Sequence, residues 1–189
     1  MKRVLVACEY SQVVTEAFRA AGALAYSCDL EPCAGAHPEW HFQQDVTQLL
    51  SRSWQWDLII AHPPCTYLSR VGGQHLRHDA LRWRKLVSAR EFFYMFWDYP
   101  GKVAIENPYP LNCAQLPPFS QVVCPSEFGH EYTKHCCLWL KDLPPLLPTT
   151  CKNIKAEQWV KHCAGNGKRR ARFWSGIAQA MAEQWLPII

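Results

Sequence analysis

A chain of 189 residues, 49% of them apolar or cysteine, is long enough for one well-filled domain over 1–189 and short for two. Its net charge of +4 and pI near 8.5 suit an anionic partner but fall short of a dedicated nucleic-acid binder. The first apolar run, Val4 to Ala7, is too short for a signal-peptide core. No stretch approaches the roughly 20 apolar residues that span a bilayer, so the cytosol is the expected location. Ten scattered cysteines then read as buried thiols rather than a disulfide framework.

Lys2 to Ala7 reads as a strand, followed by an amphipathic helix from Gln12 to Ala21 that Ser11 can cap and Gly22 can stop. Leu24 to Cys28 is a second strand ending at Asp29, and this order implies a right-handed parallel crossover. Glu31 to Trp40 is irregular, and a short extended piece leads to Asp45. Asp57 to Ala61 is a third strand, Arg70 to His78 a loop loosened by Gly72 and Gly73, and Asp79 to Trp97 the longest helix. Lys102 to Ile105 is another strand, while Pro108 to Pro125 predicts no regular structure. Cys136 to Leu140 is a late strand, Pro144 to Pro148 a loop, and Arg170 to Trp185 a closing helix.

No internal repeat or low-complexity tract appears. The alternation predicts an α/β fold with one doubly wound, mostly parallel sheet. Ligands of such sheets sit outside the carboxyl ends of the strands. Glu9, Asp29, Cys65 and Glu106 all follow predicted strands and are expected to meet there.

Two strand ends carry the chemistry. Asp57-Leu58-Ile59-Ile60-Ala61 stops at His62-Pro63-Pro64-Cys65, a rigid turn that presents a thiol. A thiolate is the nucleophile suited to an electron-poor ring carbon. Val103-Ala104-Ile105 stops at Glu106-Asn107-Pro108, and a carboxylic acid beside a ring nitrogen can make the adjacent carbon open to attack.

A rival cluster, Cys28, Cys33, His37 and His41, has zinc-ligand residue types at C-x4-C-x3-H-x3-H spacing. The spacing is compressed, Cys28 falls in a strand, and no second half of a finger follows. No metal is expected.

Pro63-Pro64-Cys65 with Ser69, followed in order by Glu106-Asn107, resembles the DNA cytosine-5 methyltransferase family. Over most of its length the chain is also similar to short phage-type methyltransferase-like proteins. That similarity is carried by Val4 to Ser11, His62 to Ser69, Glu106 to Pro108, Phe128-Gly129-His130 with Lys134, and Leu138-Trp139-Leu140.

The resemblance implies a Rossmann-like fold of the S-adenosylmethionine-dependent methyltransferase type and, if phage-encoded, a bacterial host cytosol. It implies Cys65 as the nucleophile at cytosine C6, Glu106 as the partner of N3, and Asn107 as the residue holding the loop. S-adenosylmethionine would meet Glu9, Tyr10, Ser11 and Pro63, with Asp29 on the ribose and Asp45 at the adenine amine. Tyr10-Ser11-Gln12 replaces the family's glycine-rich turn. Substrate contacts would fall to Pro64, Ser69, His130 and Lys134, and to the basic run Lys168, Arg169, Arg170 and Arg172 beside Phe173 and Trp174. Gly176 to Met181 resembles the family's final helix.

Only about Leu143 to Lys168 separates the late strand from that helix, too little for a target-recognition domain with its own core. Extracting a base from a duplex costs a few kcal/mol and needs groups to fill the vacated stack. Three readings follow: C5 methylation of DNA cytosine in single-stranded or partner-presented form, the partner being a second copy or another chain; the same chemistry on a free pyrimidine nucleotide; or a non-catalytic binder of cofactor or nucleic acid.

Overall fold

Short, almost wholly apolar strands must be covered on both faces, and that requirement sets the architecture. The computed structural model describes residues 1–51, 56–73, 80–150, 157–159 and 172–189. In chain order the elements begin with β1 (Arg3–Ala7), α1 (Val13–Ala20), β2 (Leu24–Asp29), β3 (His41–Gln43), α2 (Thr47–Ser51) and β4 (Leu58–Ala61). They continue with α3 (Arg70–Gly73), α4 (Ala80–Trp97), β5 (Lys102–Asn107), β6 (Gln121–Val123) and β7 (Tyr132–Thr133). β8 (Cys136–Lys141), β9 (Glu157–Gln158) and α5 (Ser175–Trp185) complete the set.

Seven strands form one sheet in the order β3-β2-β1-β4-β5-β8-β6. The pairs from β3 to β5 are all parallel, while β8 runs antiparallel to both β5 and β6. The chain winds outward from β1 to β3, returns to β4 and winds the other way, so the switch point lies between β1 and β4. This is the doubly wound, mostly parallel α/β sheet that the strand–helix alternation predicts.

Side-chain alternation divides the core. Val4, Val6, Ile60, Ala104 and Leu138 pack under α1 and α5. Leu5, Ala7, Ile59, Ile105 and Trp139 pack against Phe93 and Phe96 of α4. Each such fully buried aliphatic or aromatic side chain contributes on the order of 1.5–3 kcal/mol.

Four boundaries differ from expectation. β5 runs on through Glu106 and Asn107, because Leu138 and Cys137 of β8 continue to pair with them. β6 lies inside the proline-rich segment, where pairing with β8 outweighs weak local propensity. Ser120 Oγ accepts from Leu140 N, and Gln121 clasps both backbone groups of Leu146, which anchors the Pro144–Pro148 loop. The loop after Ser69 opens with the single helical turn α3, closed against Leu111 at Gly73. The closing helix begins only at Ser175. Among the described residues no helix is long and apolar enough to cross a membrane.

Candidate active site

The register of β4 and β5 builds the centre of the site. Ala61 pairs with Ile105, so the next residues, His62 and Pro63, stand level with Glu106 and Asn107. Two contacts follow from that register. Asn107 Nδ2 donates to the Pro63 carbonyl at 2.7 Å, and His62 Nδ1 lies 3.4 Å from Glu106 Oε2. The first fixes the backbone immediately before Pro64 and Cys65 from the neighbouring strand.

Beyond that tether, Pro64, Cys65 and Thr66 are exposed, so the thiol stands at the surface of the crevice. The Cys65 carbonyl accepts from Leu68 N and Ser69 N, which curls the loop into a turn. Ser69 is buried and bridges to Pro110, and Leu111 N donates to the Leu68 carbonyl. The loop is therefore stitched at both ends to the chain that leaves β5.

Glu106 is 9% exposed and lies on the face under α1 and α5. Burial pushes its carboxyl up, but the His62 hydrogen bond, the Lys134 charge and the His62 charge outweigh it and leave it below the usual carboxylate value. The Cys136 thiol adds a smaller push in the same direction. Lys134 reaches this spot because β8 runs antiparallel, so the residues before it arrive at the carboxyl edge of β5. Glu106 Oε1 and Asn107 Oδ1 are buried acceptors without a partner among the described residues. Leaving such groups unsatisfied costs about 1–3 kcal/mol each, a cost a bound donor would relieve.

The first βα turn is made without glycine. Cys8 and Gln12 both take left-handed backbone, φ 59° and 60°, a conformation that costs a non-glycine residue roughly 1–2 kcal/mol. Gln12 is fully buried, and its amide brackets His37, accepting from the backbone N–H and donating to the carbonyl. The expected Ser11 cap is absent. Glu9, buried behind the turn, accepts from Val14 N, Thr15 N and Thr15 Oγ1 and so caps α1 itself.

Burial pushes the Glu9 carboxyl up, against the smaller lowering by the His62 charge and these hydrogen bonds. Tyr10 and Ser11 are half-buried at the turn. Asp29 ends β2 and accepts from Glu31 N through one carboxylate oxygen; Asp45 accepts from Thr47 N in the same way. Both charges act on the Cys8 thiol, which burial already pushes far up. The carboxyl ends of β1, β2 and β3 thus gather a tight turn and two carboxylates, acceptors that fit a nucleoside with ribose hydroxyls and an exocyclic amine.

The remaining predicted residues divide. His130 Nε2 accepts from Gly176 N and satisfies the first turn of α5, with its ring against Trp174. Burial pushes its imidazole down. Arg172 is exposed and, with Phe173, Trp174, Ser175, His130, Trp159 and Val13, lines a cavity of about 300 Å³. Lys168, Arg169 and Arg170 lie outside the described residues.

The four zinc-type side chains are engaged elsewhere. Cys28 faces the Gln44 carbonyl, Cys33 that of Gly35, His37 stacks on Trp40, and His41 spans Ser27 and the Glu31 carbonyl. No metal-ligand group occurs among the described residues.

His62 was not singled out in the sequence. The signal was there: a histidine directly after a strand, level with the Glu of the next strand once register is known. Its ring packs on Phe173 at 4.7 Å, and Nε2 is buried without a partner among the described residues.

No protein-family model matches the chain, and no curated protein matches it in sequence. Among solved structures it is similar to a protein described as a DNA modification methyltransferase encoded within an E. coli prophage. The TM-score is 0.47 at 12% identity, over 74% of this chain and 46% of that one. It is also similar to a Spodoptera frugiperda DNMT2 mutant, with TM-score 0.41 and 13% identity over 82% and 53%. The chain spans about half the length of each. The strand order and register define the class of fold: a Rossmann-like, doubly wound and mostly parallel α/β sheet with one antiparallel strand near its edge.

Proposed function

We propose that this protein methylates C5 of cytosine in DNA through a covalent Cys65 adduct, with S-adenosylmethionine as cofactor. The observation that carries the reading is Glu106. It is a buried carboxylate with one oxygen beside His62 and the other without a partner among the described residues, one strand away from an exposed thiol on a tethered turn. As the Cys65 Sγ–C6 bond forms, ring N3 takes a proton and electron density builds at C5. Bound S-adenosylmethionine supplies the methyl group at that carbon. Water at the exposed loop then takes the C5 proton, that electron pair re-forms C5=C6 and expels Sγ from C6 as the thiolate, and N3 returns its proton. Asp29, Asp45 and the Cys8–Gln12 turn are the residues suited to hold the cofactor, with Glu9 and Pro63 supporting their loops. Lys134 offsets negative charge at Glu106.

A strand substrate is favoured over a free nucleotide by the surface beside the Cys65 loop. Residues 80–90 contain Arg82, Arg84, Lys85 and Arg90 and no acid, and Trp83 is 47% exposed among them. Arg82 donates to the Thr66 carbonyl, and Arg82 and Lys85 lie over the Tyr67 ring. Cations interleaved with an exposed indole suit phosphates and unstacked bases.

Labelled methyl donor offered with duplex DNA, single-stranded DNA and dCMP tests the reading. Transfer to the single strand above the other two is expected. Transfer to dCMP alone would replace DNA by the nucleotide as substrate, and transfer to none would make the chain a binder.

A further inference from the structure

We propose that His62 is a positioning residue that holds one proton in common with Glu106 and lends it, through Glu106, to the ring nitrogen of the substrate. The inference rests on the methyl-transfer reading and adds a residue to it. A carboxylic acid is needed to give N3 its proton, yet the surroundings of Glu106 favour the carboxylate, so the proton must be stored next to it. His62 is the titratable group in contact, with Nδ1 at 3.4 Å from Oε2 and both side chains nearly buried, 12% and 11% exposed.

Among the described residues the groups facing the pair come from three parts of the fold. Glu9 at the end of β1 acts on His62 by charge. Lys134 and Cys136 at the start of β8 act on Glu106. Phe173, before α5, covers the imidazole ring and limits its rotation. Backbone fixes the rest, since His62 N donates to the Ala7 carbonyl at 3.0 Å. The imidazole thereby has Nδ1 committed to Glu106, with the Glu9 carboxyl near enough to act on it by charge. When the Cys65 Sγ–C6 bond forms, N3 gains the pair's proton; when that bond breaks, the proton returns. The pair ends the cycle as it began.

The test has one arm that needs no activity. Carbon-13 NMR of the side-chain carboxyls, with the Glu106 signal assigned by its loss in Glu106→Gln, follows the Glu106 titration in wild type and in His62→Leu. The midpoint is expected to rise in the variant, because the hydrogen bond and charge that oppose burial are gone. An unchanged midpoint would overturn the pairing.

The second arm measures adduct formation with a 5-fluorocytosine oligonucleotide. His62→Leu should form adduct about a hundredfold more slowly at neutral pH, the low end of the range for losing a positioned proton donor. That deficit should narrow as pH falls towards the range where Glu106 takes its own proton. A deficit of constant size at every pH would show a structural role only and overturn the proton-sharing claim. If wild type forms no adduct, the methyl-transfer reading fails, and the carboxyl titration still decides whether the two residues share a proton.

Discussion

Cys8 and Gln12 show how side-chain identity and backbone demand can part company. The turn after β1 requires left-handed backbone, a requirement usually met by glycine, and here a cysteine and a glutamine meet it. Gln12 draws compensation from its two hydrogen bonds to His37. No local pattern encodes that pairing, because its partner lies 25 residues away. Cys65, Glu106 and Asn107 were legible because each follows an apolar run. His62 as a partner of Glu106 was not, since the two meet only through the register of β4 on β5; Lys134 was expected at the substrate, and its place beside Glu106 follows from the register of β8 on β5.

The folded-state carboxyl of Glu9 is raised, so between the unfolded value near 4.5 and the higher folded value the native state binds the extra proton. Stability from this group therefore falls as pH rises through that window. Glu106 is lowered and acts oppositely, adding stability that is lost as pH falls below 4.5 through its folded value. In Glu9→Gln the decline in melting temperature above pH 4.5 should be shallower than in wild type. Parallel melting curves for the two proteins across that range would contradict the assignment.

The elements were read most accurately where hydrophobic runs are long. β1, β2, β4, β8 and α4 fall within a residue or two of expectation; the apolar strand residues are buried in the sheet, and α4 is anchored by Leu86, Phe93 and Phe96 while Leu81 and Trp83 stay exposed. β6 was missed because three residues among prolines carry little signal; it exists through pairing with β8.

The junction of α5 gives a second test. Gly176 lies against the Phe128 carbonyl and 3.0 Å from His130 Nε2, so a Cβ there would overlap the carbonyl and push on the cap. Gly176→Ala should lower stability by about 1–3 kcal/mol, the usual cost of overpacking. Chemical denaturation reads it, and an unchanged midpoint would refute the close approach.

α4 gives a third. Reversing two of its cations with Arg84→Glu and Lys85→Glu should reduce the log–log salt dependence of single-stranded DNA affinity by about 1.4, from roughly 0.7 per phosphate contact. An unaltered slope would remove α4 from the binding surface.

At the scale of the whole molecule, one antiparallel strand shapes the site. Because β8 enters between β5 and β6 in the reverse direction, its leading residues, including Lys134 and Cys136, arrive beside Glu106. The same sheet brings the β1 turn, Asp29, Asp45 and the Pro63-Pro64-Cys65 loop to one edge, the placement that strand order alone predicts for a ligand. Composition and alternation sufficed for the fold class. They could not supply the pairing of β5 with β8, which depends on contacts across the intervening chain.

Cys65 Sγ is the attacking atom in the proposed reaction. Mass spectrometry of the protein incubated with a 5-fluorocytosine oligonucleotide and S-adenosylmethionine tests it most directly, because fluorine at C5 blocks the final elimination and preserves the bond. The expected product is an adduct whose peptide map places the nucleotide on Cys65, absent in Cys65→Ser, with the exposed Cys113 unmodified. Methyl transfer by Cys65→Ser at the wild-type rate, or an adduct at any other residue, would contradict it.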